Sequence, residues 1–126
     1  MQKIAIVGLG LIGGSVGLGL RRWSQANGNA LRVVGFDADM QQQRQAQRMG
    51  ALDDAQWALH RVVADVDVVV VATPVGAMRE LFADLAPHLK EGAVVTDTGS
   101  TKADVLRWAD DIFPRHVQFV GGHPMA

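Results

Sequence analysis

The sequence predicts a single α/β domain built on a doubly wound, mostly parallel sheet. Three observations point there. Short β-branched runs alternate with helix-forming stretches along all 126 residues, and that alternation implies parallel pairing through right-handed crossovers. The run "DVDVVVVATP" (Asp65–Pro74) contains an unbroken apolar stretch, the pattern of a strand buried on both faces. Glycines cluster at the first strand-to-helix junction, in "GLGLIG" (Gly8–Gly13).

In order, Lys3–Gly8 reads as the first strand, and a helix runs from the glycines to about Trp23. Gln25–Asn29, "QANGN", is a turn. Leu31–Asp37 is the second strand, and Asp39–Gly50 is a helix stopped by its glycine. Ala51–Asp54 suits a short third strand and Ala55–Val63 a short helix. After the fourth strand, Val75–Leu89 is amphipathic, with Pro87 ending its regular part. Gly92–Gly99 is the fifth strand, Ser100–Phe113 a helix and Val117–His123 the last strand. The expected strand order is 3-2-1-4-5-6.

Composition narrows the function. Twelve Lys and Arg against 13 Asp and Glu leave a net charge of −1, so nucleic-acid binding has no electrostatic support. There is no cysteine, which excludes disulfides and thiolate metal sites and makes a reducing cytoplasm the simplest location. The uncharged stretch Ile4–Leu20 mimics a signal peptide or a short membrane helix. Six of its residues are glycine and Arg21-Arg22 follow at once, which argues against either reading. No membrane role is expected.

Gly8, Gly10 and Gly13 form G-x-G-x-x-G between a strand and a helix, the context its mechanism requires. The first glycine permits the tight turn, the second lets backbone approach a pyrophosphate, and the third lets helix and strand pack closely. The helix start, with Leu11 and Ile12, offers free N–H groups to phosphate. Asp37 ends the second strand, where a carboxylate accepts hydrogen bonds from ribose hydroxyls and repels a 2′-phosphate. That favours NAD over NADP, in a Rossmann-type domain. Asp39 is an equal candidate to cap the next helix. The spacing from the glycines to Asp37 is long, and "WSQANGN" reads as a lengthened turn that accounts for it. Ligands in such sheets lie beyond the carboxyl ends of the strands. That singles out Ala72, Thr73 and Pro74, then Asp97–Ser100, then Gly121–His123. Ser100 or Thr101 also reads as a helix N-cap with Asp104.

The chain resembles the nicotinamide-binding N-terminal domain of the prephenate/arogenate dehydrogenase family. The resemblance rests on "VGLGLIGGSVGLGL" (Val7–Leu20), "GFD" (Gly35–Asp37), "DVVVVATPV" (Asp67–Val75), "VVTDTGSTK" (Val94–Lys102) and "GGHPMA" (Gly121–Ala126). It implies an NAD-dependent oxidative decarboxylation in tyrosine biosynthesis, acting on the small molecule prephenate or arogenate. His123 would polarise the substrate hydroxyl as hydride departs, and Ser100 would support His123 and the nicotinamide end. It further implies that the family's helical C-terminal domain, which supplies a substrate-binding arginine and a homodimer interface, is absent. The chain would then stop inside an active-site loop, and the 126 residues alone would turn over little substrate. Two other readings remain: a non-catalytic NAD(H)-sensing regulatory module, and another β-hydroxyacid-type oxidoreductase. Enzymes of the latter kind usually carry methionine where this chain has Ile12.

Overall fold

Alternate residues of the central strand point to opposite layers, and that alternation builds the fold. In β1 (Gln2–Val7), Ile4 and Ile6 face one apolar cluster while Ala5 and Val7 face another. The computed structural model describes residues 1–99 and 102–122. After β1 come α1 (Leu11–Ala26), β2 (Leu31–Phe36), α2 (Met40–Arg48), β3 (Asp54–Ala55) and α3 (Leu59–Val62). Then follow β4 (Val68–Val71), α4 (Val75–Leu85), β5 (Val94–Asp97), α5 (Lys102–Ile112) and β6 (Gln118–Val120). The six strands lie in the expected order β3-β2-β1-β4-β5-β6. Every pair is parallel, so the sheet is parallel throughout rather than mostly so.

Helices cover both faces. Val16 and Leu20 of α1 and Ala46 of α2 pack over Ile4, Ile6, Val33 and Val70. Val62 of α3, Met78, Phe82 and Leu85 of α4, and Val105 and Ala109 of α5 pack over Ala5, Val7, Val69, Val71 and Val95. Phe82 is fully buried, and its ring meets Phe113 at 4.9 Å and Phe119 of β6 at 5.5 Å. That aromatic contact anchors the edge strand to the body of the domain. No helix among the described residues is long and apolar enough to cross a membrane.

Several elements depart from expectation, and among the described residues β5 and β6 keep only Val94–Asp97 and Gln118–Val120 of the longer strands expected. Helix α1 runs past Trp23 to Ala26; only Gly28 and Asn29, both at positive φ, turn the chain. The long spacing to Asp37 is therefore taken up by helix, not by an extended turn. Strand β3 has two residues and starts at Asp54, because buried Ala51 and Leu52 fill the core instead. Asp53 donates its N–H to Val33 O and accepts Val33 N–H on Oδ2 at 2.8 Å, so its side chain mimics a strand partner. Helix α3 keeps only Leu59–Val62, without a side-chain cap to extend it. The proline expectation holds: a 3₁₀ turn at Ala86–His88 follows α4.

At the amino end of the strands, Asp67 joins separate segments. It accepts the Lys3 N–H at 2.8 Å and the Lys90 ammonium at 2.8 Å. The Lys90 hydrogen bond, then the Lys3 amide, hold its carboxyl below the ordinary 3.8, against the effect of burial. The same bond raises Lys90 above 10.5. Asp67 therefore contributes stability that is present above its unfolded pKa and lost as pH falls through the lower folded one. Lys90 contributes stability that is lost only as pH rises through its raised folded pKa. Asp67→Asn is expected to be slightly less stable than the parent by a constant margin across neutral pH, and the two should converge under acid below about pH 3.8. Both groups are about a third exposed, so the margin is small. Urea midpoints measured against pH check this; a margin that widens in acid would refute it.

Candidate functional site

The turn after β1 is shaped by its neighbours. Gly8 has φ +97°, and a Cβ there would lie 2.8 Å from the carbonyl carbon and oxygen of Ala72. A side chain would therefore be strained and would push away the segment leaving β4. A Cβ on Gly13 would lie 1.8 Å from Gly8 O, so only glycine lets α1 start against this turn. Gly10 differs: its Cβ would meet only the Gln42 Oε1, at 3.2 Å. Its approach face is open, as a close-lying ligand requires. Gly10 is also the N-cap of α1 and supplies no side-chain cap, which leaves the first-turn amides for an anion. Leu11 and Ile12 follow, 88% and 44% exposed.

A cavity of about 910 Å³ runs along the carboxyl ends of the strands. Asp37 and Gln42 stand at one end, Gly10, Leu11 and Ile12 along the wall, then Ala72, Thr73 and Pro74, with Thr98 and Gly99 beyond. It straddles β1, where the sheet's winding reverses between β2 and β4, the place where such sheets take ligands.

Asp37 and Asp39 divide the work that the sequence left open between them. Asp39 caps α2 by accepting the Gln41 N–H at 2.9 Å. Asp37 faces the cavity and accepts the Leu9 N–H at 2.7 Å and the Asp39 N–H at 2.8 Å. It thus shapes the glycine turn directly. A carboxylate has about four acceptor positions, so capacity remains for sugar hydroxyls. Sequence reasoning missed Gln43, which is buried and locks Asp37 in place. Its Oε1 accepts the Asp37 N–H at 3.0 Å and its Nε2 donates to Gln56 O at 3.1 Å. Nothing in "QQQ" (Gln41–Gln43) marks the central residue as exposed to the cavity and the last as buried; the rotation of α2 decides it.

Thr73 offers the cavity a hydrogen-bonding group. Its Oγ1 is buried and has no hydrogen-bond partner among the described residues, although the residue lines the cavity. Such an orphan costs about 1–3 kcal/mol, which a bound hydroxyl or amide offsets. The open glycine face, the uncapped helix start, Asp37 and this hydroxyl together fit the diphosphate and sugars of a dinucleotide. Two predicted residues, Ser100 and His123, lie outside the described residues, as does the expected cap at Ser100 or Thr101. Asp104 pairs with Arg107 on α5.

Known proteins share this fold and are similar in sequence. The family model described as prephenate dehydrogenase, nucleotide-binding domain, matches residues 17–126. A prephenate dehydrogenase of Bacillus subtilis is 37% identical over 99% of this chain and 33% of its own length. The crystal structure of prephenate dehydrogenase from A. aeolicus, in complex with hydroxyphenyl propionate and NAD+, has a TM-score of 0.85 at 32% identity. It matches 99% of this chain and 42% of that one. Synechocystis arogenate dehydrogenase has a TM-score of 0.83 at 29% identity, over 98% of this chain and 41% of its own. The chain thus spans about a third of the length of the curated relatives it matches. With a glycine-turn cavity of the right form and a family model covering most of its length, the chain belongs to the prephenate dehydrogenase family and corresponds to its nucleotide-binding domain.

Proposed function

We propose that this domain binds NAD and serves the oxidative decarboxylation of prephenate or arogenate in tyrosine biosynthesis. The observation that carries the reading is the placement of Asp37, its carboxylate on the cavity wall and bonded to the glycine turn at Leu9. Support comes from the A. aeolicus relative, whose complex holds NAD+ and hydroxyphenyl propionate. We further propose that the domain works within a longer cytoplasmic protein, homodimeric through a helical C-terminal domain that completes the substrate site.

When bound, NAD+ supplies the hydride acceptor. Asp37 holds the adenosine ribose by its hydroxyls, and the first-turn amides of α1 hold the diphosphate. Thr73 Oγ1 hydrogen-bonds the nicotinamide half, with Ala72 and Pro74 shaping the wall beside it. His123 accepts a hydrogen bond from the substrate hydroxyl and takes its proton at an imidazole nitrogen as the C–H hydride departs. Ser100 holds that imidazole in place. The ring carboxylate leaves as CO₂, its bonding electrons pass into the ring, and the carbonyl oxygen regains a proton as the product becomes aromatic.

Titration of the 126-residue chain with NAD+ and NADP+ by calorimetry tests the cofactor assignment. NAD+ should bind at least about tenfold more tightly, equivalent to about 1.4 kcal/mol, because a 2′-phosphate would meet the Asp37 carboxylate. Tighter binding of NADP+ would overturn the assignment.

A further inference from the structure

Asp97 ends β5 and is 2% exposed, an expensive place for a carboxylate unless its oxygens are bonded. Both are. Oδ2 accepts the Gly99 N–H at 2.7 Å, and Oδ1 accepts the Gly122 N–H at 3.1 Å. Gly99 belongs to the segment leaving β5 and Gly122 to the segment leaving β6. The next residues in the chain are Ser100 and His123. We propose that Asp97 is a positioning residue that ties the two segments carrying Ser100 and His123 to one another. The inference rests on the roles given above to those two side chains.

Three features favour a tie over a local turn. First, β6 is a three-residue edge strand whose last pairing is Thr96 with Val120, so the segment beyond has lost its ladder before it reaches His123. The bond to Gly122 picks it up two residues later. Second, the approach is built at backbone distance. A Cβ on Gly122 would lie 2.5 Å from Asp97 O, and one on Gly99 would lie 2.8 Å from Asp97 Oδ2. Both segments carry glycine where Asp97 occupies the space. Third, two N–H groups arriving from different segments need two acceptors and no donor. A carboxylate meets that need; an asparagine offers one oxygen and sets its NH₂ against the second N–H. The charged acceptor also makes each bond stronger than a neutral one. Thr98 and Gly99 line the cavity, so the Gly99 end of the tie stands in the cavity wall.

The test uses Asp97→Asn and Gly122→Ala, which break the same tie from its two sides. In the longer protein each should lower kcat with prephenate by about 100-fold, the cost of a misplacement of about 1 Å, while the KM for NAD+ moves less than about threefold. The double variant should be no worse than the poorer single, since both remove one interaction. In the 126-residue chain, amide exchange should speed by at least about tenfold at position 122 in Gly122→Ala and at one or both of Gly99 and Gly122 in Asp97→Asn, with Leu9 unchanged. Unchanged exchange, kcat within about threefold of the parent, or losses that multiply in the double variant would each overturn the proposal. Should Asp97→Asn fail to fold, Gly122→Ala carries the same outcomes. Amide exchange reports the tie without turnover. A failure of the His123 reading, seen as undiminished turnover in His123→Asn, is therefore distinguishable from a failure of the tie.

Discussion

His123→Asn in the longer protein is expected to lower prephenate turnover by about 10²–10⁴-fold, the usual contribution of a positioned acid or base. Affinity for NAD should stay within about threefold of the parent. The asymmetry follows from the chemistry assigned to the residue. Asparagine keeps the approximate size of imidazole and can hydrogen-bond a hydroxyl, but it cannot take a proton. A neutral imidazole can. On the proposed reading NAD is held elsewhere, by the glycine turn, Asp37 and Thr73, so its binding has little to lose. Steady-state kinetics of parent and variant would decide it. Equal turnover in parent and variant would return the domain to the class of NAD(H)-sensing modules.

Gly13→Ala should destabilise the domain by about 3 kcal/mol or more, beyond the usual cost of overpacking, and abolish measurable NAD binding. Its Cβ would lie 1.8 Å from Gly8 O, and backbone cannot yield as a side chain can. Helix α1 would have to back away from the turn, carrying its first-turn amides off the phosphates. Gly19 on the same helix makes the control. Nothing lies within 4 Å of its Cβ, so Gly19→Ala should stabilise by about 0.5–1 kcal/mol through helix propensity alone. Thermal unfolding should therefore move in opposite directions for two identical substitutions in one helix. A shared sign would contradict the packing described for α1.

Much of this was legible from residue pattern. The alternation of strand and helix, the glycine spacing and the apolar run at Val68–Val71 led to the observed strand order. Boundaries were less legible where local signals competed with packing. "ALDD" looks like a strand, yet Ala51 and Leu52 are drawn into the core and the ladder begins later, at Asp54. The end of α1 was hidden because Gln25 and Ala26 tolerate helix and turn alike; the positive φ of Gly28 and Asn29 decided it.

The sequence by itself determined the doubly wound class, the carboxyl-end place of the cavity and the glycines that shape its turn. Those depend on local rules: the period of apolar residues, the absence of a Cβ, the direction of right-handed crossovers. Only the tertiary structure decided which acid faces the cavity and which caps α2, which glutamine is buried, and that the Thr73 hydroxyl has no partner among the described residues. It also decided that Asp97 reaches across to Gly122, 25 residues away. Such pairings arise where distant segments meet. Their energy depends on distance and burial, which no periodicity along the chain encodes.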